Sequence, residues 1–209
     1  MNTFKMTMLG GLAAVSLAPL GAQAAYLLDT GIPSGSGLPV VLDSNDYAAA
    51  EFSLSAGQTI TSIQAYVTAG IDTSGDTFTI SLYSDGSLGG RNPTSVYSGQ
   101  ATYTADGWNG LTGLDITGLT AGNYWVALEV NGSSDSALGL ALPTGATGGS
   151  AAALHYAFSN DGGTTYTVDD SLPIGLQVQA VPLPGALLLF GSGLLGLGGV
   201  ARRRVANVC

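Results

Sequence analysis

The chain has 209 residues, with 14 acidic against 5 basic residues, one His and one Cys. A formal charge of −9 excludes a nucleic-acid surface, because phosphates need a basic stripe. The single Cys and single His exclude an intramolecular disulfide and a His-rich metal site, and 45% hydrophobic against 9% charged residues excludes a solvated disordered polymer.

Met1 to Lys5 carries one Lys and the terminal amine, and Met8 to Ala18 is an uncharged apolar run. Pro19 breaks that run, and Ala22-Gln23-Ala24 follows as a small-x-small site. This order is the grammar of a secretory signal peptide, and the run is short for a membrane span. Residues 1–24 are therefore expected to be removed by cleavage between Ala24 and Ala25, through Ala22, Ala24 and Ala25.

Residues 25–180 form the expected ectodomain. All 14 acids fall inside it against the single base Arg91, a formal charge of −13. Such a surface repels anionic polymers and anionic lipid. Ala25 to Gly37 is the least regular stretch and is expected to give a first edge strand plus loop. Thr59 to Thr68 is rich in β-formers. In Asp76 to Asp85, Phe78, Ile80 and Leu82 share one face and Thr77, Thr79, Ser81 and Tyr83 the other. Asn123 to Val130 places Tyr124, Val126, Leu128 and Val130 opposite Trp125, Ala127 and Glu129. Ile174 to Ala180 turns Ile174, Leu176, Val178 and Ala180 inward, with Gln177 and Gln179 outward. A two-residue period marks half-buried antiparallel strands. Turn pairs such as Ser74-Gly75, Asp85-Gly86 and Asn131-Gly132 separate them. The expected fold is all-β: an antiparallel β-sandwich, jelly-roll-like, of roughly eight to ten strands. An N-terminal signal helix and a C-terminal transmembrane helix are expected to flank it.

Residues 181–209 read as a sorting and anchor segment. Val181-Pro182-Leu183-Pro184 precedes an uncharged stretch, 186–201, containing six Leu and five Gly, and then Arg202, Arg203 and Arg204. As a helix the stretch spans roughly 24 Å, a little less than a ~30 Å hydrocarbon core. Three Arg beside it orient the tail to the cytoplasm. The two Pro are expected to forbid continuous sheet or helix across the motif. Leu142-Pro143-Thr144-Gly145 lacks the variable residue of a sortase signal and lies far from the span. Cys209 falls in the cytoplasmic tail.

The order of VPLP, Gly/Leu-rich stretch and Arg cluster resembles the PEP-CTERM sorting signal, also called the ice-binding protein C-terminal domain. That family usually carries Glu where Leu183 stands. The resemblance implies Sec export, a membrane-held precursor, and recognition by an exosortase. It further implies delivery to the surface or exopolysaccharide matrix of a Gram-negative bacterium. Within the ectodomain, Gly57 to Thr68, Ser81-Leu82-Tyr83-Ser84-Asp85-Gly86, Leu119 to Val126 and Tyr156 to Tyr166 resemble the choice-of-anchor R domain. That family implies no known activity and lends no functional residue.

Chemistry is sparse. His155 is the one candidate base, and it is expected at the surface; no Gly-x-Ser-x-Gly elbow or phosphate loop accompanies it. Glu51 and Glu129 lie on strands without singling out a glycosidase pair. No motif demands a cofactor. Calcium is the ion the Asp-rich loops suggest, through Asp43, Asp46, Asp72, Asp76 and Asp161, with Asn160, Asp169 and Asp170 nearby. Asp and Asn are also ordinary turn formers. Trp108 and Trp125 are the only Trp and would serve either a sugar platform or core packing. The expected function is a non-enzymatic extracytoplasmic surface or matrix protein. Its alternative is a lectin-like module, calcium-dependent or not, for the host's exopolysaccharide.

Overall fold

Alternating apolar residues become a core only when two sheets turn their apolar faces to each other. A computed structural model of the chain describes residues 24–34, 39–68, 70, 74–89, 95–131, 135 and 139–182. In chain order its strands are β1 (Ala25–Pro33), β2 (Val40–Leu42), β3 (Tyr47–Leu54), β4 (Gln58–Val67), β5 (Thr77–Ser84), β6 (Tyr97–Thr102), β7 (Gly107–Ile116), β8 (Gly122–Glu129), β9 (Leu140–Leu142), β10 (Ala146–Ala151), β11 (Tyr156–Ser159), β12 (Thr167–Val168) and β13 (Leu176–Pro182). Every strand pairing is antiparallel. No helix occurs among the described residues. The signal segment, the stretch 186–201, the Arg cluster, and Leu183 and Pro184 lie outside them.

One sheet has the order β10-β1-β13-β4-β7 and the second β12-β11-β3-β8-β5-β6; β2 and β9 pair separately. The inner faces share one core. Ile60, Ile63 and Val178 come to it from the five-stranded sheet, and Phe52, Phe78, Ile80 and Leu128 from the six-stranded sheet. The inward residues expected on β5, β8 and β13 are all buried in it. β6 runs beside β7, which closes that edge, while β10 and β12 end their sheets on the other.

Three expectations change. The first strand is not an edge: β1 lies between β10 and β13, with Asp29 opposite both Ala151 and Gln177. Its irregular look reflects a bulge at Leu27, where the register with β13 shifts between Tyr26 and Leu28, and β10 adds an extra residue opposite Thr30, between Asp29 and Gly31. Gly31 adopts φ +89°, and a Cβ there would strike the Thr147 carbonyl. Next, the sheet does not stop before the VPLP motif. Val181 pairs with Thr59 and Pro182 with Gln58. Pro182 is the terminal strand residue, beyond the last β1 partner, since Ala25 faces Ala180. A missing N–H is least costly there. Finally, the outward faces of β5 and β8 are not solvated: Thr79, Ser81, Tyr83, Trp125, Ala127 and Glu129 are all buried.

Candidate functional site

Alanine makes the outer face of the six-stranded sheet low enough to be covered. Ala157, Ala49 and Ala127 stand in one row across β11, β3 and β8. They form a second buried cluster with Tyr83 and Trp125, against which Leu88 and Tyr166 pack. Under this cover lies a carboxylate. Glu129 is 7% exposed and accepts hydrogen bonds from Tyr83 Oη (2.7 Å) and Ser81 Oγ (2.9 Å). Burial pushes its pKa above the usual carboxylate range, opposed by those two donors. Ser81 Oγ also lies 3.2 Å from Ser98 Oγ. Tyr166 Oη is buried with no hydrogen-bond partner among the described residues. An unsatisfied buried hydroxyl costs about 1–3 kcal/mol. Tyr166→Phe should therefore raise stability by about 1 kcal/mol, read as a higher denaturant midpoint at unchanged slope; a fall would show that the phenol is satisfied.

Next to this face, at the open edge, is a groove of about 400 Å³. β2, with Val40 and Val41, forms one wall, together with Asp46 and Tyr47. The β11–β12 hairpin forms the other, through Phe158, Asn160, Thr167 and Asp169, with Leu172 beyond it. The two walls are tied together: Gly162 N–H donates to the Asn45 carbonyl (2.9 Å). Ser159 faces Tyr47 in the β3–β11 register.

The acidic loops named from the sequence divide. Asp43, Asp46 and Asp161 come to the same end of the six-stranded sheet, since Asp46 precedes Tyr47 and Asp161 follows Ser159. Asp43 spends its carboxylate on its own loop, accepting Asn45 N–H (2.6 Å) and Asp46 N–H (3.0 Å). Asp161 does likewise with Ser159 Oγ (2.8 Å), Thr165 N–H (2.8 Å) and Thr165 Oγ1 (2.7 Å). The Thr165 donors and then Ser159 hold its pKa below the usual range. Asp46 is different. Its carboxylate makes no hydrogen bond within the described residues, and burial, then Asp43, raises its pKa. Asp76 stands before β5, where its carbonyl accepts Tyr103 N–H (2.8 Å). Asp72 lies outside the described residues. Among the described residues no three His, Cys, Asp or Glu side chains gather into a metal-binding group.

No protein-family model matches the chain, and no curated protein matches it.

The remaining candidates are placed by the strands. His155 is exposed, and its Nδ1 lies 3.0 Å from Asp170 Oδ2. That hydrogen bond raises the His155 pKa and lowers that of Asp170. Glu51 faces Trp125, so it is four residues along the sheet from the Glu129 position, roughly 13 Å at strand rise. Paired glycosidase carboxyls stand about 5–9.5 Å apart. Trp125 is covered, and Trp108 is half-buried with its ring edge-on to Tyr66 (5.5 Å, 89°). Sequence reading missed the groove because its walls come from segments more than 100 residues apart. It also missed Tyr166, whose only sequence signal is its place after the Asp161-Gly162-Gly163 turn.

Proposed function

We propose that the chain is a non-enzymatic extracytoplasmic protein of the cell surface or exopolysaccharide matrix. It is built on a jelly-roll-like sandwich, exported by Sec and sorted by an exosortase acting on its C-terminal signal. The observation that supports this reading is where pairing begins and ends among the described residues. Ala25, the first residue after Ala22-Gln23-Ala24, is the first residue of β1, and it faces Ala180. β13 ends at Pro182, inside the VPLP motif. Processing at both signals would therefore leave every paired strand of the domain in place. In the host, the mature protein should begin at Ala25 and lack Arg202 to Arg204, read by N-terminal sequencing and intact mass. Pro184→Ala should accumulate a membrane-held full-length form, whereas Pro182 is already held in the sheet. A wild-type chain that stays intact in the inner membrane beside an active exosortase would overturn the sorting claim.

The groove favours a second reading, a lectin-like module for the host's own exopolysaccharide. Among the described residues its lining has unpaired polar groups beside apolar side chains and carries no cation. Retention on the purified polysaccharide separates this reading from a purely structural matrix protein.

A further inference from the structure

We infer that the groove is the binding site for a neutral sugar residue, held through neighbouring hydroxyls by Asp46 and Asp169. The inference rests on the lectin-like reading and gives that reading its site and ligand class.

The volume, about 400 Å³, falls in the range of small-ligand pockets. The chemistry of the lining decides what enters. Asp46 offers a carboxylate with no hydrogen-bond partner within the described residues. Asp169 commits Oδ1 to Ser171 N–H (3.0 Å) and Ser171 Oγ (2.6 Å), which fixes the side chain and leaves Oδ2 open. Asn160 and Thr167 add an amide and a hydroxyl without hydrogen-bond partners among the described residues. Phe158 and Leu172 supply an apolar surface between them.

Each competing ligand class fails against that lining. An anion meets two carboxylates and no cation among the described residues. A purely apolar ligand would cover free acceptors without replacing their bonds to water. A bare divalent ion requires six or more oxygens, and here carboxylates alternate with apolar walls. A neutral sugar satisfies all the groups together. Its adjacent hydroxyls donate to the carboxylates, its ring oxygens accept from Asn160, and its C–H face lies on Phe158. The site is also preformed. Asp43 and Asp161 brace the two loops internally, and the Gly162–Asn45 bond joins them, so little ordering remains at binding.

The test is an array of neutral and anionic oligosaccharides, probed with the purified full-length chain. Neutral glycans should be retained and anionic ones not, and retention should survive EDTA. The double variant Asp46→Asn with Asn160→Ala should weaken retention by about tenfold or more at an unchanged melting temperature, while Trp108→Ala should bind as wild type does. If the double variant binds as tightly as wild type, the groove is not the site, although the lectin-like reading stands. If EDTA abolishes retention, a bound cation rather than these carboxylates holds the sugar, and the inference fails. If no neutral glycan is retained, the lectin-like reading itself fails.

Discussion

Glu129→Ala should destabilise the domain by about 3 kcal/mol at pH 4, while Glu129→Gln should match wild type there and exceed it as pH rises. The Ala variant strands the Tyr83 and Ser81 hydroxyls, which now donate to the carboxylate at 2.7 and 2.9 Å. Ser81 has a fallback in Ser98 Oγ at 3.2 Å, whereas the other side chain beside the Tyr83 hydroxyl is Ser81, itself stranded by the same change. At roughly 2–4 °C per kcal/mol for a chain of this size, the loss is about 6–12 °C in Tm.

The pH dependence follows from the same burial. The folded pKa of Glu129 lies above its ordinary value of 4.5, so the folded state favours the protonated acid. Stability from this group is complete below the ordinary value and is lost as pH rises through the folded one. Both protonation states fit the network. The protonated Oε2 donates to Ser81, which passes its own proton toward Ser98. Glutamine copies that state, with Nε2 donating to Ser81 and Oε1 accepting from Tyr83. Urea unfolding of wild type and the Gln variant from pH 4 to 8 should give curves that diverge as pH rises, with the Gln variant on top. Parallel curves would mean that Glu129 is not held in its acid form by burial. The Ala penalty relative to wild type should shrink over the same range.

Thr30→Val is the second variant expected to hurt, again by about 3 kcal/mol. Thr30 lies on β1 opposite the β10 bulge, between Asp29 and Gly31, and its side chain turns into the core. There Oγ1 donates to the Ile174 carbonyl (2.7 Å) and accepts Leu176 N–H (2.8 Å). The hydroxyl thus completes the backbone bonding where the chain enters β13. Valine has the same shape but offers neither bond, so two buried backbone groups lose their partner. Serine keeps both bonds and should recover most of the loss. Faster amide exchange at Leu176 in the Val variant, restored by Ser, would place the damage at this contact. A uniform rise across all strands would assign it to general loss of packing.

What the sequence determined by itself was the inward set of each long strand. Phe78, Ile80 and Leu82, or Leu176, Val178 and Ala180, alternate with polar residues, and a two-residue period leaves only one face for a core. It also placed the tight turns, because Asp-Gly and Gly-Gly pairs favour backbone that other residues avoid. Alternation cannot say what lies above the other face. Ser81, Tyr83 and Glu129 look solvated in a local window. The return of the chain at Leu88 and Tyr166 packs over that face. Pairing partners are also non-local, so the position of β1 between β10 and β13, more than 100 residues downstream, could not be read from Ala25 to Gly37. The Asp-rich loops could be found in the sequence, but not how their carboxylates are used. Tertiary structure decided that, bracing Asp43 and Asp161 within their own turns and leaving Asp46 open to the groove. A carboxylate's partners are set by what folds within hydrogen-bond reach, and here that includes chain from the far end of the domain.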